Sequence, residues 1–384
     1  MIQLPRRGFL GGLAVAGFAP RIAFAAAPTE RRFVFVIQRG AADGLHLVPP
    51  LGDPGYAGLR GPLIDSLAGA KKLDGVFSLH PALARVGAMV DAKQALAVHA
   101  VASAYRDRSH FDGQNVLETG GTSAYAEKVG WMNRLVTALP AAQSSALALA
   151  PEVPMALRGP APVASYAPSR LPQPGDDLLG RVGGLYADDP QLAGLWHSAM
   201  ATRTLAGEAG VKAGGGNGAE LGKLAASLLA PASGARVMMI ETGGWDTHSG
   251  QAGRLAAQLK TLDALIGALA DGLGDKWGDT LVVVATEFGR TAAVNGTGGT
   301  DHGTASAALV LGGGLAGGGW DAGRVHADWP GLAPAQLYES RDLRPTVAME
   351  AMITGALARH YATDPARFAR ALYPDQPGLK AALV

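Results

Sequence analysis

The apolar positions of this chain fall in two periods. Short unbroken apolar runs recur: Arg32 to Gln38 (RFVFVIQ), Ala95 to Val101 (ALAVHAV), Arg236 to Ile240 (RVMMI), Leu281 to Ala285 (LVVVA) and Ala305 to Gly312. Runs of this length without polar alternation predict strands buried on both faces. Ala146 to Ala150 predicts a further short strand. Between them, apolar residues at helical spacing predict helices. Leu255, Leu259, Leu262, Ile266 and Leu269 form one stripe, on a helix that Ser249 is expected to cap and that ends near Leu273. Helices are also predicted over Ser109 to Glu118 with Ser109 as N-cap, over Trp131 to Leu139 and over Pro345 to Arg359. Residues 151–190 are rich in Pro and Gly and predict irregular chain. Residues 191–230 predict two Ala-rich helices broken at Gly214-Gly215-Gly216-Asn217-Gly218, an insertion on a single domain spanning 28–384. Gly312 to Gly319 predicts a hairpin, since no Lys-Ser/Thr pair follows to make it a phosphate-binding loop. Fully apolar strands alternating with helices predict an α/β sandwich around a mostly parallel sheet.

The N-terminus has another pattern. Arg6-Arg7-Gly8-Phe9-Leu10 opens an uncharged run from Gly8 to Ala19, and small-x-small sites follow at Ala23-Phe24-Ala25 and Ala25-Ala26-Ala27. That run is shorter than the about twenty apolar residues of a membrane span. Residues 1–27 are therefore expected to be a twin-arginine signal, with the mature protein periplasmic or secreted. Without them the chain keeps 30 basic and 32 acidic residues. That balance shows no basic footprint for nucleic acid, and no later apolar run is long enough to span a membrane. Cysteine is absent, which excludes cysteine nucleophiles, thiolate zinc sites and iron–sulfur clusters.

Polar chemistry gathers where the strands end. Asp43 lies in the turn after the first strand. Gly244-Trp245-Asp246-Thr247-His248 follows the Arg236 strand, and Thr286-Glu287-Phe288-Gly289-Arg290 follows the Leu281 strand. Gly299-Thr300-Asp301-His302-Gly303 precedes the Ala305 strand. Carboxylates and imidazoles at strand ends suit a divalent metal, and open α/β sheets carry their sites there. Asp43, Asp246, His248, Glu287, Asp301 and His302 are the expected ligands of one or two ions, zinc or manganese. Asp43 also fits a plain Asp-Gly turn, and Asp301 a loop salt link. A buried strand ending in Glu287 needs a partner or a metal, and Arg290 is the ordinary partner. Ser109 opens a helix, where unpaired N–H groups suit an oxyanion or an activated nucleophile. His110 and Arg290 are candidates to offset anionic charge.

These segments resemble the domain-of-unknown-function 1501 family of exported bacterial proteins. The resemblance rests on Arg39-Gly40-Ala41-Ala42-Asp43-Gly44-Leu45, Asp53-Pro54-Gly55-Tyr56, Leu79-His80-Pro81-Ala82-Leu83 and Arg108-Ser109-His110-Phe111-Asp112, together with the three later segments above. That family looks like a member of the alkaline phosphatase-like superfamily. The likeness implies a three-layer α/β/α sandwich with metal ions at strand ends. It also implies Asp43, Asp246, His248, Glu287 and His302 at ligand positions, Ser109 as nucleophile and an anionic ester as substrate. Phe288 stands where superfamily relatives carry an imidazole. With no Cys and no Ser-x-Pro-x-Arg, the likeness does not extend to a formylglycine sulfatase. Two functions follow as expectations: an exported metal-dependent hydrolase of phosphate or sulfate esters, or a non-catalytic, metal-stabilised binding or assembly protein on the same fold.

Overall fold

The computed structural model describes residues 30–140, 145–167, 174–208 and 217–382. The twin-arginine segment and the glycines 214–216 of the expected helix break lie outside the described residues. Among the described residues the strands are β1 (Arg32–Gln38), β2 (Lys71–Lys72), β3 (Ser78–Leu79), β4 (Ala95–Ala102), β5 (Ala146–Leu149), β6 (Ala164–Ser165), β7 (Val237–Thr242), β8 (Thr280–Ala285), β9 (Ser306–Leu311), β10 (Val325–His326) and β11 (Val347–Ala348). All but β2 and β3 join one sheet in the order β10-β4-β9-β8-β1-β7-β5-β6, with β11 added beside β10 on β4. β1 runs parallel to β7 and β8, whereas β9 is antiparallel to both β4 and β8.

The unbroken apolar runs are explained by helices on both faces. Val34 and Val36 of β1 point into one core, with Leu224, Leu228, Leu255, Leu262 and Leu269 from helices Gly218–Leu229 and Gln251–Leu273. Phe33, Phe35 and Ile37 point into the other, with Trp131, Leu135, Met352, Leu357 and Phe368 from helices Trp131–Ala138, Met349–His360 and Pro365–Leu372. Alternate side chains of a strand face opposite sides, so every β1 residue is buried. The fold is the expected three-layer α/β/α sandwich.

Four local expectations change. Residues 151–190 are not all irregular, because Asp176–Tyr186 is a helix with no buried side chain. Of the two helices expected as an insertion, Gly218–Leu229 packs into the core layer instead. Ser249 does not cap the long helix; Gly250 takes that place at φ 55°, and the amides of Gly250 and Gln251 donate to the carbonyls of Thr297 and Gly298. The Gly312 to Gly319 segment is no hairpin but a single 3₁₀ turn over Gly313–Ala316, and β9 and β10 each pair with β4 rather than with each other.

The antiparallel β9 matters for the site. The segments after β1, β4, β7 and β8 leave the carboxyl edge of the sheet. Because β9 runs the other way, the segment before it, with Asp301 and His302, arrives at the same edge. Close approach there requires glycine: Gly40 has φ 115°, and a Cβ on it would lie 2.7 Å from the Asp246 backbone nitrogen.

Candidate metal centre

Three imidazoles converge on Asp246 at this edge. His110 begins the helix His110–Thr119 after β4, His248 follows β7 and His302 precedes β9. Each ring is held through Nδ1. His110 Nδ1 lies 2.9 Å from Glu287 Oε1, His248 Nδ1 lies 2.9 Å from Asp301 Oδ1, and His302 Nδ1 lies 2.9 Å from the Arg108 carbonyl. An ionised carboxylate and a carbonyl can only accept, so all three Nδ1 atoms donate, and in the neutral rings the Nε2 atoms carry the lone pairs. Those lone pairs face a common space. His302 Nε2 is 2.9 Å from His248 Nε2 and 3.3 Å from Asp246 Oδ1. His248 Nε2 is 3.0 Å from Asp246 Oδ1, and His110 Nε2 is 3.5 Å from Asp246 Oδ2. His110 Nε2 is buried without a hydrogen-bond partner. His110, Asp246 and His302 each place a ligand atom within 4.8 Å of the other two.

Two lone pairs at 2.9 Å repel unless a proton or a cation lies between them. The donor set fits a divalent ion of the zinc or manganese kind, since imidazole nitrogen and carboxylate oxygen are its ordinary ligands. Nδ1–H anchors on carboxylates and a carbonyl are also the usual way such rings are oriented and made more basic.

The electrostatics follow from these contacts. Burial pushes the Asp246 carboxyl up, but the hydrogen bond and charge of Arg290 hold it below the usual range. Burial likewise works against the Glu287 carboxylate, and hydrogen bonds from His110 and Gln114 outweigh it, so its pKa is lowered. The hydrogen bond to Glu287 raises His110, while burial lowers His302. The hydrogen bonds from His248 and Asn295 lower Asp301.

The structure redistributes the expected roles. Asp246, His248 and His302 face one another, and His110 comes within reach of Asp246 and His302. Glu287 and Asp301, expected as ligands, stand behind the rings. Glu287 Oε1 takes His110, the Gly40 amide and Gln114, and Oε2 takes the Thr286 hydroxyl. Asp43 does not join the cluster. It is fully buried, and its two oxygens are gripped by Arg60, with Gln251 Nε2 2.6 Å away. Arg290 is not the partner of Glu287 and is not open to a substrate. It is 1% exposed, and its nitrogens donate to the carbonyls of Gly40, Ala41, Trp245 and Thr300 and to Asp246. It is the clamp that holds three strand-end segments together. Ser109 sits at the N-cap position without a side-chain cap bond, next to His110 and to Arg108. Arg108 has φ 63°, a strained turn that aims its carbonyl at His302. Phe288 stacks on His110 with centroids 5.1 Å apart and walls the ring in place.

Arg60, Gln114, Gln251 and Asn295 support the site and carry no signal in the sequence that sets them apart. Asn295 lies six residues before Asp301 and donates to it and to the His248 carbonyl.

The family model described as "Protein of unknown function (DUF1501)" matches residues 30–371, and the chain belongs to that family. No curated protein matches the chain. Among solved structures, the C-terminal periplasmic domain of EcEptC from Escherichia coli, in complex with Zn, is similar over 76% of each chain at 9% identity and a TM-score of 0.39. The phosphonate monoester hydrolase of Agrobacterium radiobacter is similar over 77% of this chain and 70% of its own, at 13% identity and a TM-score of 0.34. Both likenesses are too weak to bear on the chemistry.

Proposed function

We propose that this protein is an exported, metal-dependent hydrolase of phosphate or sulfate esters. The observation that carries the proposal is the convergence of ligand atoms of His110, Asp246 and His302 within 4.8 Å of one another, with His248 against Asp246 and His302 and each ring held through Nδ1. His110, Asp246, His248 and His302 would hold one divalent ion, zinc or manganese. When bound, such an ion supplies Lewis-acid polarisation of an ester oxygen and lowers the pKa of a nucleophile.

The chain's own residues do the rest. Glu287 and Asp301 fix the tautomers of His110 and His248. Arg290 holds the Asp246 carboxylate ionised and pointed inward. The side chains of Asp246 and His248 are 44% and 45% exposed, which leaves the cluster open on one side to a substrate. Ser109, next to His110 at the start of its helix, would supply its hydroxyl oxygen as the nucleophile, or would orient a water for in-line attack.

The test uses the mature chain with zinc or manganese and aryl phosphate and aryl sulfate substrates. Turnover that disappears in Ser109→Ala or Asp246→Ala, with the fold intact, supports the proposal. The absence of turnover with every divalent ion rejects it. The burial of Arg290 favours a second reading, a non-catalytic metal-stabilised binding or assembly protein. That reading expects Ser109→Ala to change nothing and Asp246→Ala to lower only thermal stability. Among the described residues no helix is long and apolar enough to cross a membrane. Export itself is tested by fusing residues 1–27 to a reporter: periplasmic reporter that is lost on Arg6→Lys with Arg7→Lys is the expected result, and unchanged export rejects the twin-arginine assignment.

A further inference from the structure

The three rings of the cluster are not anchored in the same way. His110 and His248 lean on the carboxylates of Glu287 and Asp301, whereas His302 donates to the backbone carbonyl of Arg108, 2.9 Å away. A carboxylate on a side chain can turn towards a ring. A carbonyl points only where its backbone points. Arg108 stands at φ 63°, where an L-residue is strained unless its surroundings hold it there.

Those surroundings centre on Asp342. Arg108 Nε donates to Asp342 Oδ2 at 2.9 Å, and Arg108 Nη2 lies 2.8 Å from Asp342 Oδ2 as well. The Asp342 side chain is fully buried, so solvent screens this pair little. Glu339 also reaches Arg108 Nη2, but its side chain is 55% exposed and such a pair contributes little. Asp342 is itself fixed by a tight turn. The Arg341 amide donates to the Tyr338 carbonyl, and Glu339 and Ser340 take the positive φ values, 52° and 53°, of a mirror-image turn. The backbone of Asp342 then bridges Thr291, whose amide donates to the carbonyl of Asp301, the residue before His302. The contacts form a closed circuit. They run from the His302 ring to the Arg108 carbonyl, through the Arg108 guanidinium to Asp342, and through Thr291 to Asp301 and back to His302. One buried carboxylate thus ties together the segment that carries the ring and the carbonyl that orients it.

We propose that Asp342 is a positioning residue for His302, acting through Arg108. Its carboxylate holds Arg108 in the left-handed conformation, the Arg108 carbonyl holds the Nδ1–H of His302, and Nε2 is thereby turned to Asp246. The inference rests on reading the cluster as a metal centre.

The experiment uses the mature protein and two substitutions, alone and combined. Asp342→Asn keeps the shape and removes the charge. Arg108→Gly removes the guanidinium, and glycine takes φ 63° freely. Zinc affinity is read by competition with a chromophoric chelator. The protonated nitrogen of each ring is read in the metal-free protein by long-range ¹H–¹⁵N spectra, with circular dichroism as the control for folding. Asp342→Asn should weaken zinc binding about tenfold and shift the His302 signals away from the Nδ1–H form, with those of His110 and His248 unchanged. In the Arg108→Gly background, Asp342→Asn should change affinity by no more than about twofold, because the residue it acts through is gone. Glu339→Ala should leave affinity unchanged. Wild-type affinity and wild-type His302 signals in folded Asp342→Asn overturn the proposal. An equal loss in both backgrounds overturns the route through Arg108. A wild type that takes up no zinc rejects the metal centre itself, and the His302 signals of the metal-free variants still decide whether Asp342 fixes the ring.

Discussion

Removing the Asp301 carboxylate tests whether the rings are held for metal. Asp301 Oδ1 accepts from His248 Nδ1 at 2.9 Å and from Asn295 Nδ2 at 3.1 Å, and touches no other ring. In Asp301→Ala the His248 ring loses the anchor that fixes its tautomer, so Nε2 no longer has to face Asp246. Loss of such an anchor costs about 10- to 100-fold in metal affinity, or about 1.4–2.8 kcal/mol. The side chains of His248 and Asp301 are 45% and 50% exposed, and water can replace part of the lost hydrogen bond, which places the effect near the tenfold end. Asp301→Asn keeps an oxygen acceptor and loses the charge, so it should fall between wild type and Asp301→Ala. The assay is competition for zinc against a chromophoric chelator at fixed pH, with thermal unfolding of the metal-free proteins as control. Wild-type affinity in Asp301→Ala refutes the reasoning, as does an Asn variant weaker than the Ala variant.

Other outcomes follow from the buried charges. Arg60→Ala leaves Asp43 uncompensated inside the protein and should cost about 3–5 kcal/mol in chemical unfolding; a change under 1 kcal/mol would contradict the ion-pair role assigned to Asp43. Burial pushes the Glu350 carboxyl up from its ordinary 4.5 to about 7. The stability linked to its protonated form is complete below about pH 4.5 and lost as pH rises through about 7. Glu350→Gln should therefore match wild type near pH 4 and exceed it at pH 8, by about 3 kcal/mol at most; a gap that does not widen with pH counts against burial as the cause of the shift.

Much of the architecture could be read from the chain because β1, β4, β7, β8 and β9 are apolar on both faces, a pattern that only a doubly covered sheet satisfies. The location of the candidate site was legible in outline for the same reason: Asp246, His248 and His302 sit beside strands whose ends share one edge, with Glu287 behind the rings. What the sequence could not supply was the partner of each polar group. Asp43 and Glu287 look alike as acids just past a strand, yet Asp43 is neutralised by Arg60, seventeen residues on, while Glu287 accepts hydrogen bonds from His110, Gln114 and the Gly40 amide. Arg290 looked available for a substrate because nothing in its neighbours shows that four backbone carbonyls would surround it. The helix cap moved from Ser249 to Gly250 because the 295–299 loop supplies carbonyls to the helix amides, a long-range contact invisible to local propensity.

The most direct measurement is the metal content of the mature protein, purified without chelator and given zinc or manganese, read by elemental mass spectrometry beside His302→Ala and Asp246→Ala. One tightly held ion per wild-type chain, lost in both folded variants, is the predicted result. A wild-type chain that takes up no divalent ion, or variants that retain it in full, would contradict the account.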